Sequence, residues 1–537
     1  MNKNILLRLL TSLVCIVLGM IIGQYLLYKN ADINKYIPIP VYHSQLELSK
    51  LQLVFGQIKE NYVDPVNIDS LVEKTIPFVL KALDPHSIYI KASEMEEANE
   101  SIEGNFDGVG ITFNMPNDTV IVISVVNGGP SERVGIHPGD RIITVDDSLI
   151  AGQKINQNNI VKMLRGKTGT RVTIGIQRVG EPNLMHFPVT RGKIPVKNVD
   201  VAYMVNDHTG YIKLSKFSKS SHHEFLQTAL DLQKKGMKNL IFDLRNNTGG
   251  LLDQAFEIAN EFLPYGSLIV YTEGRARKRQ DLYANGQGRL QHINVAVLTN
   301  EATASASEIV AGALQDNDRG LIVGLRTFGK GLVQEPINFS DNSGLRLTIA
   351  RYYTPTGRSI QRPYGKDKNY EEDIFQRELH GEFLDADSIK QDTVQRYTTP
   401  GGKIVYGGGG IAPDVFVPYD TTGVNEYFIN VSRKNLIYRY AIHFSDLHRT
   451  EINKIKTLDD LRKFFASFDL PQRFAEYAAR QGVKPKPAAL NQCKHLIENY
   501  LKAYIGRNTS LDDEGFYPFL SNIDNTLTRA IKELEQH

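Results

Sequence analysis

A strand that ends in a serine-bearing turn and resumes as a helix limits what this chain can become. Residues 293–298 read Ile-Asn-Val-Ala-Val-Leu, an apolar, β-branched run of the length of a buried strand. A polar turn follows, Thr299-Asn300-Glu301-Ala302-Thr303, then Ala304-Ser305-Ala306-Ser307-Glu308 and the helix-period run Ile309-Val310-Ala311-Gly312-Ala313-Leu314. A second apolar piece, Leu321-Ile322-Val323-Gly324, leads to Phe328-Gly329-Lys330-Gly331, with Gln334 a short step on. Alternation of this kind implies a layered α/β core.

Ser305 and Glu308 have the S-x-x-E spacing of a capping box, and most such serines only satisfy orphan helix N–H groups. At a strand-to-helix turn, however, the hydroxyl projects, and the helix N-terminus offers N–H groups and a positive dipole. Those donors suit a developing oxyanion. Lys330, between two glycines, is the candidate base. Gly324-x-x-x-x-Gly329-Lys330 also approaches a phosphate-binding loop, but Gly331 stands where a magnesium-binding Ser or Thr is needed. Gly331-Leu332-Val333 is a poor helix start as well, so the nucleotide reading is weak.

Ser305-Ala306-Ser307-Glu308-Ile309 together with Phe328-Gly329-Lys330-Gly331-x-x-Gln334 resembles the C-terminal processing peptidases, the tail-specific serine proteases of family S41. The resemblance implies that Ser305 is the nucleophile, Lys330 its base and Gln334 the residue orienting the lysine, a Ser–Lys variant of triad logic. It also implies an oxyanion site made by the N–H of Ala306 and that of Gly249 or Gly250, which follow Leu244-Arg245-Asn246-Asn247-Thr248. The sequence does not choose between the two glycines. Thr248 stands where the family commonly has proline, and Ala302-Thr303 where it commonly has Gly-Ser; neither touches a group doing chemistry. The implied fold is a ClpP/crotonase-like core that needs no metal or other cofactor.

The remainder of the chain is read around that core. At 537 residues it exceeds one core, and about three or four units are expected. A net charge of +2 gives no hint of nucleic acid. Two cysteines, Cys15 and Cys493, cannot make a disulfide framework. Thirteen histidines show no metal spacing, and His222-His223 is read as solvated. Residues 1–30 hold an apolar run from 9 to 27, interrupted by Thr11, Ser12 and Gln24, close to the ~20 residues that span a bilayer. The context around Tyr25 to Lys29 is poor for cleavage, so an uncleaved signal anchor in the inner membrane is expected, its charged start inside and the bulk in the periplasm.

Residues 31–98 read as a tether and helices, with a helix over 68–83; His86, beside Pro85, is read as a polar turn residue rather than a triad base. Residues 99–192 resemble a PDZ domain, with Gly108, Val109, Gly110 and Ile111 as the loop that would hold a terminal carboxylate. The protease core runs from 193 to 420, with a polar insertion over about 363–403 and a glycine run, Gly407-Gly408-Gly409-Gly410, read as a flexible turn. Residues 421–537 carry helical patterns over 428–444, 458–468, 472–481, 490–505 and 516–535, without a catalytic motif. They read as a helical domain for dimerisation or adaptor docking.

The expected protein is a multidomain α/β serine endopeptidase, tethered to the membrane, that acts on unstructured protein C-termini. A different class, a PDZ scaffold with an inactive protease-like domain, would have been favoured by loss of Ser305 or Lys330, and both are present.

Overall fold

A computed structural model of the chain describes residues 48–365, 370, 372–389 and 394–536. The apolar run at 9–27, and with it the expected anchor, lies outside the described residues. Among the described residues no helix is long and apolar enough to cross a membrane. They fall into two compact units, the smaller taking in residues up to Met95 together with Gln334–Thr348.

In the smaller unit the helices Leu48–Asn61 and Ile68–Lys81 precede the strand Ile88–Ile90, which pairs antiparallel with Gly344, Leu345 and Arg346. The turn into that strand is built on Asp84. Its carboxylate accepts from the N–H groups of His86 (2.8 Å) and Ser87 (2.8 Å) and from the hydroxyls of Ser87 (2.6 Å) and Thr348 (3.1 Å). Burial alone would raise the carboxyl's pKa, but these bonds win and hold it below the ordinary value. His86 joins this turn through its backbone.

The larger unit is organised on a six-stranded sheet. Its order is Val199–Met204, Thr209–Leu214, Asn239–Asp243, Asn294–Thr299, Gly320–Gly324, Val415–Phe416. The first pair is antiparallel and every other neighbour is parallel. Parallel neighbours need crossover connections, and the helices Ser221–Lys234, Leu252–Asn260 and Ala306–Asp316 lie in them. Alternate strand residues serve opposite faces. Phe242, Val295, Val297 and Ile322 pack with Phe225, Ile258, Val310 and Leu314 from those helices. Ile241, Ala296, Leu298 and Val323 turn the other way, onto Leu527, Ala530 and Leu534 of the last helix, Asn525–Gln536. Burial on both faces accounts for the near-continuous apolar character of these strands.

Strands Asn105–Gly108 and Gly192–Pro195 pair with each other and enclose the module that resembles a PDZ domain. Its antiparallel sheet runs Ile111–Asn114, Val120–Val125, Arg141–Val145, Arg171–Gln177, Met185–Thr190, with Ile111–Asn114 at one edge. The helix Gln157–Leu164 places Ile160 and Leu164 in the module's core beside Val122, Ile142 and Ile174.

The C-terminal region departs from the expected pattern in two places. The run 428–444 is two helices, Glu426–Arg433 and Leu436–Leu447, broken at Asn435 with φ 53°. Asparagine is one of the few residues that visits the left-handed region readily. The run 516–535 is also two helices, Asp513–Leu520 and Asn525–Gln536, separated by a 3-10 turn at Ser521–Ile523. The region is not merely appended to the rest. Besides the last helix on the sheet, Tyr438 and Ile442 pack on Ile121 of the PDZ-like module, and Asp446 pairs with Arg141.

Candidate active site

The stretches that carry the candidate nucleophile, base and oxyanion donors leave the carboxyl ends of three adjacent parallel strands. Asp243 registers with Leu298, and Leu298 with Val323, so the loops after residues 243, 299 and 324 emerge side by side. Crevices outside strand carboxyl ends are where α/β sheets commonly hold their sites. The Arg245–Gly250 stretch, Ser305 and Lys330 each lie in one of these loops.

Ser305 begins the helix Ala306–Asp316 with φ 57° and ψ −117°. A helix cap ordinarily has extended backbone, and this conformation costs a residue with a Cβ about 1–3 kcal/mol. Of the capping box expected from the spacing, the Glu308 half is formed: Glu308 Oε2 accepts from the Ser305 N–H (2.8 Å), while the Glu308 N–H goes to the Ser305 carbonyl (2.8 Å) and not to its hydroxyl. The turn is held from the side by Leu244 and Asn247. The Asn247 carbonyl accepts from the Ala304 N–H (3.0 Å) and the Ser307 hydroxyl (2.9 Å), and Thr303 Oγ1 donates to the Leu244 carbonyl (2.9 Å). Gly249 (φ 98°) comes so close that a Cβ there would lie 2.8 Å from Ser305 Cβ, Ala306 N and the Ala304 carbonyl. Only glycine fits.

Glu308 is wholly buried and joins the Ser305 turn and the Lys330 loop through their backbones. Its Oε2 accepts from the N–H of Ser305 (2.8 Å) and of Lys330 (2.9 Å). Its Oε1 accepts from Gly329 N–H (2.7 Å) and the Thr327 hydroxyl (2.5 Å). Burial pushes the carboxyl up to about 7, against the pull of these four donors. Tyr352 makes a second tie, its hydroxyl lying at the carbonyl of Ser305 (3.0 Å) and that of Lys330. The sequence reading missed both. Glu308 was visible only as a capping residue, and Tyr352 carried no signal.

The polar insertion supports the loop that carries Lys330. Arg377 donates to the carbonyls of Thr327 (3.0 Å) and Arg326 (2.8 Å), and Glu382 pairs with Arg326 (2.6 Å) and Arg377 (2.8 Å), all of them largely buried. The glycine run, expected as a flexible turn, is packed on the same loop. Gly408 and Gly410 donate to the carbonyls of Ser359 (2.7 Å) and Ile360 (2.8 Å), and a Cβ at Gly410 would meet the Thr327 carbonyl at 2.5 Å. Close backbone approach, not mobility, is the reason for glycine there. Gly331 opens a strand, Leu332–Asn338, so the phosphate-loop reading lacks its helix.

Of the other residues singled out, Ala306 is the first residue of the helix Ala306–Asp316, and Gly249 donates its N–H to Asn247 Oδ1 (2.9 Å). Gly250 forms a parallel bridge to Phe217. Gln334 belongs to the smaller unit, where its amide donates to the His86 carbonyl. Gly108, Val109, Gly110 and Ile111 join the strand Asn105–Gly108 to the edge strand Ile111–Asn114, Gly110 turning the chain with φ 76°. His222 is not simply solvated: Nε2 lies 2.8 Å from Glu261 Oε1. Among the described residues no cluster of side chains could hold a metal ion.

A model of peptidase family S41 matches residues 208–371, and a PDZ-domain model matches residues 108–189. A carboxy-terminal-processing protease of Bartonella bacilliformis is 38% identical over 320 residues, covering 59% of this chain and 73% of that protein. The chain belongs to peptidase family S41. It is a serine-type peptidase carrying a PDZ domain, and the S41 match spans Gly249, Gly250, Ser305, Lys330 and Gln334. Among solved structures, the photosystem II D1 C-terminal processing protease is 26% identical and covers 69% of this chain and 87% of its own, with a TM-score of 0.38. The PDZ domain of a carboxy-terminal protease from Vibrio cholerae, solved with a peptide, is 25% identical, with 17% and 99% covered and a TM-score of 0.16. Residues 427–510 match a family of unknown function.

Proposed function

We propose that this S41 peptidase is an endopeptidase of the cell envelope that captures unstructured protein C-termini and cleaves them with a Ser305–Lys330 dyad. The observation that carries the proposal is the Glu308 carboxylate, which binds the N–H of Ser305 and that of Lys330 at once and so fixes nucleophile and base against each other. Ser305 Oγ attacks the scissile carbonyl, and its proton passes to the neutral amine of Lys330. The oxyanion accepts from Ala306 N–H and from Gly250. Gly250 is favoured over Gly249 because the Gly249 N–H already serves Asn247. As the tetrahedral adduct collapses, Lys330 returns the proton to the leaving amine. Water then attacks the acyl-enzyme with the same lysine as base.

Capture is assigned to the PDZ domain. Ile111–Asn114 is an edge strand, able to accept an added peptide strand, and Gly108 to Ile111 lie where backbone N–H groups would meet the terminal carboxylate. The apolar run at residues 9–27 is the anchor, which puts the catalytic domains in the periplasm. Full-length Ser305→Ala should fold as the parent does and cleave no unfolded substrate, while EDTA leaves the parent's rate unchanged. A Ser305→Ala protein with parental turnover would refute the mechanism. Recovery of the protein from soluble periplasm, beginning after residue 29, would refute the anchor.

A further inference from the structure

The C-terminal region meets the stretch that leads to the oxyanion glycines at Arg245. Arg245, two residues after the strand Asn239–Asp243, grips two carboxylates. Its Nε and Nη2 donate to Asp243 (3.0 and 2.7 Å), and its Nη1 and Nη2 donate to Asp524 (3.0 and 2.6 Å). Asp243 belongs to the core; it is buried and also accepts from the Tyr211 hydroxyl (2.6 Å). Asp524 comes from 279 residues further along, beyond the stretches that the S41 model and the family of unknown function match. Two bidentate carboxylates on one planar guanidinium leave it little freedom to turn.

Asp524 is itself held in place. Its Oδ1 accepts from the Leu527 N–H (2.9 Å), capping the last helix, whose Leu527, Ala530 and Leu534 lie on the catalytic sheet. Just before it, Tyr517 donates to Asp200 (3.2 Å) and Ser521 meets the Tyr203 hydroxyl, both on the sheet's first strand. What Arg245 anchors is the oxyanion arm. Asn246 N–H donates to Asn300 Oδ1 (2.9 Å) and Asn300 Nδ2 donates to Asn246 Oδ1 (2.9 Å), next to the contacts between Asn247 and the nucleophile turn. A cavity of about 480 Å³ lies alongside, lined by Arg245, Asn246, Asn300 and Asp524 among others. Without Asp524, half of the Arg245 grip would be replaced by water in that space.

We infer that Asp524 is a positioning residue for the oxyanion site, acting through Arg245 on the arm that ends at Gly250. The inference rests on the Ser305 mechanism proposed above. A misplaced oxyanion donor raises the barrier without weakening substrate capture, because the PDZ edge strand is untouched. Displacements of about 1 Å can cost up to 10²-fold, and loss of a donor outright costs about 10²–10³.

The test compares full-length Asp524→Ala, Asp524→Asn and Leu534→Ala. Leu534→Ala weakens the packing of the same helix without touching Arg245, so it should lower the melting temperature and leave kcat unchanged below it. Asp524→Ala should lower kcat about 10–100-fold with KM within twofold, and should weaken a peptide boronate, whose adduct fills the oxyanion site, by a similar factor. Asp524→Asn, as good a cap but uncharged toward Arg245, should fall between the two. Asp524→Ala with parental kcat and boronate affinity, and only a lowered melting temperature, would reduce Asp524 to a helix cap and overturn the inference. Boronate uptake by the parent and not by Ser305→Ala keeps the underlying mechanism separate: if the parent takes up none, it is the mechanism that has failed.

Discussion

Glu308→Gln should damage this peptidase out of proportion to the size of the change. The carboxylate has four donors, two on each oxygen, and an amide of the same shape has only one accepting end. With its oxygen toward Ser305 and Lys330, the amide nitrogen opposes the Gly329 N–H, because only the Thr327 hydroxyl can rotate away. Turned over, it opposes the N–H groups of Ser305 and Lys330 together. One unsatisfied buried donor costs about 1–3 kcal/mol, so even the better orientation should lower stability by that much. It should also displace Gly329, the neighbour of Lys330, and lower kcat about tenfold or more.

The pH dependence sharpens the test. Burial pushes Glu308 to about 7 from an ordinary 4.5. All four partners donate, so the working form is the carboxylate, and kcat should fall as pH drops through about 7. Stability runs the other way. A carboxyl whose folded pKa is raised favours folding fully below 4.5 and loses that contribution as pH rises through about 7, roughly 3 kcal/mol in all. Turnover of an unfolded protein and thermal unfolding, each followed from pH 5 to 8, would show activity rising while the Glu308 contribution to stability declines, and Glu308→Gln should remove the stability trend and the part of the activity trend centred near 7. Parental kcat, melting temperature and pH profile in Glu308→Gln would refute the reasoning.

Lys330→Arg keeps the positive charge, but a guanidinium does not deprotonate in a protein, so the variant should be as inactive as Lys330→Ala; a near-parental rate would mean that another group is the base. Ser307→Ala loses one buried hydrogen bond, to the Asn247 carbonyl, and should retain most turnover with about 1 kcal/mol less stability; an inactive, folded Ser307→Ala would show that the nucleophile has been misplaced. A substrate with a free C-terminal carboxylate should be cleaved faster than its C-terminal amide, since charge-assisted hydrogen bonds are about twice as strong as neutral ones; equal rates would remove the capture role from Gly108 to Ile111.

What the sequence determined by itself is what depends on short stretches of chain. The strand-to-helix turn at Ser305, the Gly-Lys-Gly segment at Lys330 and the glycine pair at 249–250 are each set by a few consecutive residues. Their backbone demands show in residue type and spacing. The joins between them depend on which strands become neighbours. Glu308 reads locally as a capping residue, and it reaches Gly329 and Lys330 only because Asn294–Thr299 and Gly320–Gly324 are paired strands. The insertion reads only as polar, and its Arg377 and Glu382 gain a role when they close on the Lys330 loop. The C-terminal helices read as a surface for other molecules. The cap at Asp524 breaks the last pattern in two, places an apolar face on the catalytic sheet and brings a carboxylate to Arg245. Local conformation is decided within a few residues. Long-range partners are decided by burial, which rewards whichever segment covers the open sheet face and satisfies the charge beside it, however distant that segment is in the chain.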